Sequence, residues 1–138
     1  MKIISHRGNL YGREVDNENK PEFIMEALRK FEVEVDVWFV NDSWFLGHDK
    51  PQYLVDLNFF NQRMWLHCKN MEAFSELSKT DGLNYFWHEN DKVTITSLGV
   101  PWCNLGTYID SGITVIFEHK SNLPKCLGVC TDYPMDYL

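Results

Sequence analysis

Several features that point to particular functions are scarce in this sequence. Lysine and arginine total 13 against 20 aspartate and glutamate residues, for a formal net charge of −7. Because nucleic acids and anionic lipid surfaces bind clustered positive charge, the composition argues against a general nucleic-acid or membrane-surface binder. No stretch reaches the ~18 apolar residues of a membrane-spanning helix. The first residues lack the apolar core of a signal peptide, so we expect a cytoplasmic protein without stable membrane insertion.

Cysteine is also scarce. The four residues at positions 68, 103, 126 and 130 form no C-x-x-C pair, and the spacing of the last two matches neither a zinc finger nor a redox motif. The histidines form no H-x-H or H-E-x-x-H pattern, which argues against a zinc enzyme of the usual kinds. We predict reduced core thiols, with a disulfide pair as the alternative for a secreted protein.

Length and aromatic content bound the size of the fold. The chain has 138 residues, including five Trp, six Tyr and nine Phe, so a folded core is expected. No repeat, low-complexity tract or linker divides it, and we predict one domain over residues 1–138. A complete (β/α)8 barrel typically needs about 250 residues. The chain is well short of that length.

The first half of the sequence predicts strands and a helix. Residues 2–5 and 64–67 are short apolar runs typical of strands, and residues 21–30 predict a helix with proline and an acidic residue in its first turn. Valine alternates with acidic residues in the first part of 32–40, as in a strand with one buried face. After a turn at 41–43, residues 44–48 can return antiparallel beside that strand.

The second half has few helical signals. Asn70 can cap a helix whose apolar face contains Met71, Phe74 and Leu77. Short strands are then predicted at 85–88, 93–96, 100–103, 113–117 and 127–130, without helical periodicity between them. Since parallel crossovers usually need a dozen or more residues, this half is either a barrel stripped of its helices or an antiparallel meander.

Two carboxylates on the 32–40 strand are the first candidates for chemistry. Residues i and i+2 of a strand point the same way, so Glu34 and Asp36 are expected within roughly 7 Å on one face. Such hard oxygen ligands suit Mg²⁺ or Ca²⁺. The plain alternative is an edge strand with its acidic face in water.

All five histidines lie within or just after apolar strand-like runs. They are His6, His48, His67, His88 and His119. Since the carboxyl ends of parallel strands share one rim, these side chains are expected to converge there, where an imidazole can act as acid or base near neutral pH. Lys69 shares a strand face with His67 and could neutralise a phosphate or pair with Glu34; an exposed strand-end lysine is the alternative.

The order of these residues resembles that of a known family. Residues 4–8 read Ile-Ser-His-Arg-Gly, residues 18–19 read Glu-Asn, residues 34–36 read Glu-Val-Asp, and residues 47–49 read Gly-His-Asp. The series resembles the HRG, EN, ExD and HD signatures of glycerophosphodiester phosphodiesterases, a family of phospholipase-C-like TIM barrels. Residues 65–70 and 128–133 look like later strands of the same group, with less specificity.

The resemblance implies an α/β fold, a reduced or partial TIM barrel with helices mainly in the N-terminal half. It also implies metal-assisted hydrolysis of a small, glycerophosphodiester-like phosphodiester, with Mg²⁺ or Ca²⁺ as the cofactor. The implied catalytic residues are His6 and His48 as the acid/base pair and Arg7 as a phosphate contact. The implied metal ligands are Glu34, Asp36 and Glu18, of which Glu18 acts directly or through another ligand. The substrate-binding residues are expected to be Arg7, Lys69, His67 and His88.

One departure from the family pattern concerns the metal. A third ligand usually comes from a glutamate in an E-x-K-like strand, and the corresponding place here is His67, with Lys69 retained. The metal site is then altered, weakened or lost. The alternative function is an inactive barrel remnant that binds a phosphorylated ligand or serves in assembly.

The second departure is the missing mass of the second half. A shortened barrel should expose apolar strand faces and open edges, so we expect a homodimer. The residues expected to drive it are Trp102, Val115, Phe117 and Val129. The alternative is a compact monomer closed by its aromatic side chains.

Overall fold

The protein has a mixed α/β fold. The computed structural model describes residues 1–118 and 122–138, which form one ten-stranded sheet and two α-helices. The strands are β1 (Lys2–His6), β2 (Glu32–Val40), β3 (Ser43–Leu46), β4 (Tyr53–Val55), β5 (Met64–Cys68), β6 (Asn84–Phe86), β7 (Val93–Ile95), β8 (Pro101–Cys103), β9 (Ile113–Ile116) and β10 (Gly128–Thr131). The helices are α1 (Pro21–Ala27) and α2 (Met71–Leu77), with 3-10 turns at Leu57–Phe59 and Pro134–Tyr137. His119 lies outside the described residues.

The sheet is mostly parallel. Its main path runs β6-β5-β2-β1-β10-β9-β8-β7, and only the last pair, β8 with β7, is antiparallel. The end of β2 also pairs antiparallel with β3, as predicted, and β3 continues to β4. The second half therefore combines one antiparallel hairpin with parallel strands, and the described crossover from β8 to β9, residues 104–112, contains no helix.

The sheet curls around an inner apolar cluster. The ring of Trp102 on β8 stacks on Phe86 of β6 at a centroid distance of 4.5 Å, although these strands lie near opposite ends of the path. The Ser97 amide also donates to the Tyr85 carbonyl at 2.8 Å. The inner cluster comprises Ile4, Trp65, Phe86, Trp102, Ile113, Val115 and Cys130. In the described residues no strand ladder joins β6 to β7, so a closed TIM barrel is not shown.

A second apolar cluster lies on the outer face, under the helices. Val33, Val35 and Val37 of β2 are fully buried there with Ile24 of α1 and Leu77 of α2. This arrangement confirms the predicted valine face of the 32–40 strand. Because residues alternate between faces, the acidic residues of β2 must point to the inner side of the curled sheet.

The helices differ from the prediction in two respects. Asn70 caps α2 by accepting a hydrogen bond from the Ala73 amide, so one of the two helices starts past the midpoint of the chain, and the expectation of mainly N-terminal helices is wrong. Of the predicted apolar face of α2, Leu77 is buried as expected, but the prediction is wrong for Met71 and Phe74, which are 75% and 40% exposed. Ala73, four residues before Leu77 on the same side of the helix, is the other buried residue.

Most of the apolar side chains expected to drive dimerisation are buried within the chain. Trp102, Val115 and Val129 are buried, and only Phe117 is 40% exposed. The prediction that these strand faces are open is therefore wrong for three of the four positions, because the curled sheet encloses them. The homodimer itself stays a prediction, without that support.

The structure shows the state of the four cysteines and the extent of the helices. All four cysteines are free thiols, buried at 68, 103 and 130 and half-buried at 126. Burial raises the pKa of the Cys68 thiol to about 12, which keeps it neutral and poorly reactive. Within the described residues, no helix is long and apolar enough to cross a bilayer.

Candidate active site

A tight turn after β1 presents the first two candidate residues. Arg7 adopts the left-handed conformation at φ 57°, which is rare for a residue with a side chain and is common at functional sites. Gly8 follows at φ 92°, where a Cβ atom would lie 2.6 Å from a ring carbon of Phe23. The Asn9 amide donates to the His6 carbonyl and closes the turn. The backbone of this turn therefore requires glycine at position 8, whereas Arg7 keeps its unfavourable conformation for the contacts of its side chain.

The carboxylates of β2 lie in the interior rather than in water. Glu34 is 2% exposed and Asp36 is fully buried. Arg7 Nε lies 2.9 Å from Asp36 Oδ2, and Asn19 both donates to that oxygen and accepts from the Asp36 amide. The solvated-edge interpretation of this strand is wrong, since the curled sheet brings cationic and amide groups against it.

His67 completes a compact group with these two carboxylates. Its Nδ1 lies 3.3 Å from Asp36 Oδ1 and 3.7 Å from Glu34 Oε1, and the three ligand atoms all lie within 4.8 Å of one another. Glu34 Oε2 and Asp36 Oδ1 are buried, and neither accepts a hydrogen bond from a residue that the structure describes. Buried oxygens without a donor are costly, so this group needs positive charge from a protonated His67 or from a bound cation.

The charges of this group are strongly coupled. Burial of the imidazole opposes its charging, but the carboxylates of Asp36 and Glu34 raise the pKa of His67 to about 9. Burial would likewise raise the pKa of Asp36, yet His48, His67 and the Arg7 guanidinium hold it well below its usual value. Asp36 is therefore ionised at neutral pH, and the group needs nearby positive charge to be stable.

His6 is held by a carboxylate that the sequence analysis did not select. Its Nδ1 lies 2.7 Å from Asp132 Oδ1, and since an ionised carboxylate can only accept, Nδ1 carries the proton. Burial opposes ionisation of Asp132, but His6, Asn9 and Arg7 lower its pKa. The other nitrogen, Nε2, lies 3.7 Å from Glu34 Oε2. In the neutral ring this nitrogen has its lone pair available to a substrate.

Glu18 belongs to a different group from the one expected. Its Oε2 accepts from the Asn9 side chain at 2.7 Å, and its Oε1 accepts from Arg7 Nη1 at 3.3 Å. It clusters with His6 and Asp132 rather than with Glu34 and Asp36. Because hydrogen bonds already occupy these carboxylate oxygens, the structure favours Glu18 as a residue that fixes Arg7 and Asn9.

His48 reaches the site from the turn after β3. Gly47 has a φ of 153°, and a Cβ atom there would lie 2.1 Å from the Lys50 carbonyl oxygen, so only glycine fits this turn. Arg7 Nη2 donates to His48 Nδ1 at 2.7 Å, while Asp36 Oδ2 lies 3.6 Å from the same nitrogen. The His48 side chain is 41% exposed and borders open space.

Some of these side chains line an open pocket of about 390 Å³, whose lining does not include Glu34, Asp36 or His67. The lining residues are His6, Arg7, Arg13, His48, Phe117, Asp132 and Tyr133. Two guanidinium groups and two imidazoles therefore face one space that is large enough for a small ligand. Cationic donors of this kind suit a phosphate or another anion, despite the negative charge of the whole chain.

The remaining predicted residues, Lys69 and His88, do not line the described pocket. Lys69 is half-buried and forms no salt bridge with Glu34 in the described part of the chain. The His88 ring bonds Asp91 at 3.0 Å, and the His88 carbonyl accepts from His67 Nε2, also at 3.0 Å. His88 therefore orients His67 through its backbone instead of lining the described pocket.

Asp132, Asn9 and Asn19 are the site residues that the sequence analysis missed. Asp132 follows β10 directly, and the parallel register that pairs Ser5 with Thr131 places it beside His6. A polar residue at the end of an apolar strand was the available signal, and the same signal identified His6. Asn19 belongs to the Glu-Asn motif at 18–19, in which only Glu18 was given a role, and Asn9 lies in a loop, where no periodicity indicates the direction of a side chain.

Comparisons with known proteins add no family assignment. No family model, curated protein or solved structure matches the chain.

Proposed function

We propose that this chain is a phosphodiester hydrolase, a shortened member of the glycerophosphodiester phosphodiesterase family on a reduced barrel. One observation supports the proposal most: two buried carboxylate oxygens, Glu34 Oε2 and Asp36 Oδ1, have no hydrogen-bond donor among the described residues. Glu34 Oε2 also lies 3.7 Å from Nε2 of the His6 imidazole that Asp132 holds. Arg7 contacts the Asp36 carboxylate and lines a neighbouring pocket. This combination provides positive charge for a phosphate and a base beside it.

The donor set fits a divalent cation. Glu34, Asp36 and His67 would hold it, because their ligand atoms are mutually close and two of the carboxylate oxygens lack donors. When bound, the ion would offset the negative charge that develops on the phosphate oxygens. Arg7 supplements that charge from the pocket side.

His6 acts as the general base in this proposal. His6 Nδ1 keeps its proton and donates it in a hydrogen bond to Asp132. The other nitrogen, Nε2, is therefore free to take a proton from the attacking water or from a neighbouring substrate hydroxyl. The new P–O bond forms as the bond to the leaving oxygen breaks. Asp132 stabilises the charged imidazole that results and holds the ring in one orientation.

His48 acts as the general acid. In the present arrangement Arg7 donates to His48 Nδ1, so this nitrogen is the acceptor and carries no proton. When a substrate phosphate draws the Arg7 guanidinium toward itself, His48 Nδ1 is left facing Asp36 Oδ2 and can hold a proton. The charged ring then gives its Nε2 proton to the leaving oxygen, which departs as an alcohol.

The alternative is a remnant that binds a phosphorylated ligand without cleaving it. The observation that favours it is the charge balance of the core, because Arg7 and a protonated His67 can already neutralise Glu34 and Asp36. In that case the pocket would hold an anion beside Arg7, Arg13 and His48. A cytoplasmic location belongs to either proposal, since four free thiols are typical of reducing compartments.

Turnover of a phosphodiester distinguishes the two functions. The full chain is incubated with bis(p-nitrophenyl) phosphate and with a glycerophosphodiester, first with added divalent cations and then with EDTA. We expect diester hydrolysis that EDTA abolishes and fresh metal restores, with much slower cleavage of p-nitrophenyl phosphate, a monoester control. No turnover with any cation, together with a higher unfolding temperature in glycerol phosphate, would establish the binding module instead.

A further inference from the structure

His67 presents a nitrogen to the two carboxylates in a fixed orientation. Its Nε2 lies 3.0 Å from the His88 carbonyl oxygen, which can only accept, so the Nε2 proton is committed to that bond. In the neutral ring the lone pair is then on Nδ1, the nitrogen that faces Asp36 and Glu34. The second nitrogen of a metal-binding histidine commonly donates to a carbonyl or carboxylate in this way.

Packing prevents the ring from turning away. The His67 ring stacks on Phe86 with a centroid distance of 5.0 Å and an interplanar angle of 12°. Phe86 itself stacks on Trp102, so the imidazole is supported by the inner apolar cluster. A rigid imidazole on one side of two carboxylates makes a mixed nitrogen and oxygen donor set.

The separations within the set fit a small ion with a nitrogen ligand. The His67 Nδ1 distances of 3.3 Å and 3.7 Å to the carboxylate oxygens are close to those between neighbouring ligands of one ion bound at about 2.0–2.2 Å. Ca²⁺ needs six to eight oxygens, and Mg²⁺ also favours an all-oxygen shell. Here Asp36 Oδ2 is occupied by Asn19, which further reduces the number of available oxygens.

We infer that His67 makes the Glu34–Asp36–His67 site selective for a divalent first-row transition metal ion, of the Mn²⁺ or Zn²⁺ kind, over Mg²⁺ and Ca²⁺. Imidazole is a good ligand for Zn²⁺ and a poor one for the hard alkaline-earth ions, while Mn²⁺, which favours oxygen ligands, still accepts an imidazole more readily than Mg²⁺ or Ca²⁺ does. The inference rests on the cation site of the proposed function and specifies the class of ion that the site takes.

Metal binding by the full chain tests the inference. The protein is stripped with EDTA, and affinities for Mn²⁺, Zn²⁺, Mg²⁺ and Ca²⁺ are measured by calorimetry for the wild type and for His67→Glu and His67→Gln. We expect Mn²⁺ to bind the wild type at least about tenfold more tightly than Mg²⁺, and His67→Glu to bring the two affinities together or reverse their order. His67→Gln, which removes the nitrogen and keeps the size, should weaken Mn²⁺ binding more than Mg²⁺ binding.

A spectroscopic readout shows whether the imidazole itself is the ligand. Pulsed EPR of bound Mn²⁺ should give ¹⁴N modulation in the wild type and in Glu32→Gln, a control on the same strand whose side chain bonds Lys2 at the surface. The modulation should be lost in both His67 variants. If one of these variants fails to fold, the other still gives the result.

Two outcomes would overturn the inference, and they differ in what they imply for the proposed function. Equal or tighter binding of Mg²⁺ or Ca²⁺ by the wild type removes the selectivity while leaving a cation site in place. Binding of no divalent ion at Glu34 and Asp36 removes both the selectivity and the metal-assisted part of the proposed function.

Discussion

Replacing Glu34 by glutamine should lower the rate of phosphodiester hydrolysis by about 10²- to 10³-fold, because it removes a buried charge that holds the cation and faces His6. Glutamine has nearly the same size, so the inner face of β2 should keep its packing. The measurement is kcat/KM on bis(p-nitrophenyl) phosphate at saturating metal, with metal affinity measured in parallel. Both should fall.

Glu32→Gln is the matched control for this experiment. Glu32 lies on the same strand two residues earlier, but its carboxylate accepts from Lys2 and from the Trp65 indole and does not belong to the group of Glu34, Asp36 and His67. Its activity and metal affinity should stay close to those of the wild type. Unchanged activity in Glu34→Gln, within about threefold of the control, would contradict a role for Glu34 in the reaction.

Asp36 is a less informative target than Glu34. Its buried carboxylate compensates the Arg7 guanidinium and receives a hydrogen bond from Asn19. Removing that charge leaves a buried cation with less compensation, a change that typically costs about 3–5 kcal/mol of folding stability. The two carboxylates of β2 are therefore not simply a repelling pair that would gain stability from the loss of one charge.

Replacing Asp132 by asparagine should lower kcat by about 10²- to 10⁴-fold with little change in KM, because asparagine does not hold the proton of His6 on Nδ1 as an ionised carboxylate does. His6→Gln should have an effect of similar size. Since the two residues act as a unit, the double variant should be little slower than either single one. Steady-state kinetics of the four proteins measure this coupling.

Asp110→Asn serves as the control for Asp132, because Asp110 is an exposed aspartate paired with Lys125 at the surface. It should retain the activity of the wild type. If Asp132→Asn also retains it while remaining folded by circular dichroism, or if the losses in the double variant simply multiply, then His6 does not depend on Asp132 and the assignment of the base is wrong.

The sequence predicted the local elements of the site well. The strand at 32–40 has the bounds that its alternation indicated, and its hairpin partner pairs antiparallel as expected. Alternation also placed Glu34 and Asp36 on one face. These features depend on neighbouring residues, and for that reason a single sequence contains them.

The environment of those carboxylates was not predictable from local pattern. Glu34 and Asp36 are buried because the sheet curls, which brings His67 from another strand and Arg7 from a left-handed turn against them. The partnership of His6 with Asp132 joins positions 126 residues apart. No short-range periodicity reports a contact of that range.

The structure of the short elements was also not predictable in full from the sequence. In α2 the helical period predicted an inward face of Met71, Phe74 and Leu77, but of these only Leu77 is buried, together with Ala73. The three-residue strand β4 is too short to give an alternation signal. Tertiary contacts determine which residues of α2 are buried and where β4 forms, and local propensity does not encode such contacts.

The central claim is that Glu34, Asp36 and His67 hold one divalent cation beside His6. Anomalous X-ray diffraction from crystals of the full chain grown with Mn²⁺ tests it most directly. We predict an anomalous peak about 2.0–2.6 Å from an oxygen of each carboxylate and from His67 Nδ1. A peak only at the group of His6, Glu18 and Asp132, or only at the surface, would contradict the claim. So would the absence of a peak at Glu34, Asp36 and His67 in crystals grown at a saturating Mn²⁺ concentration.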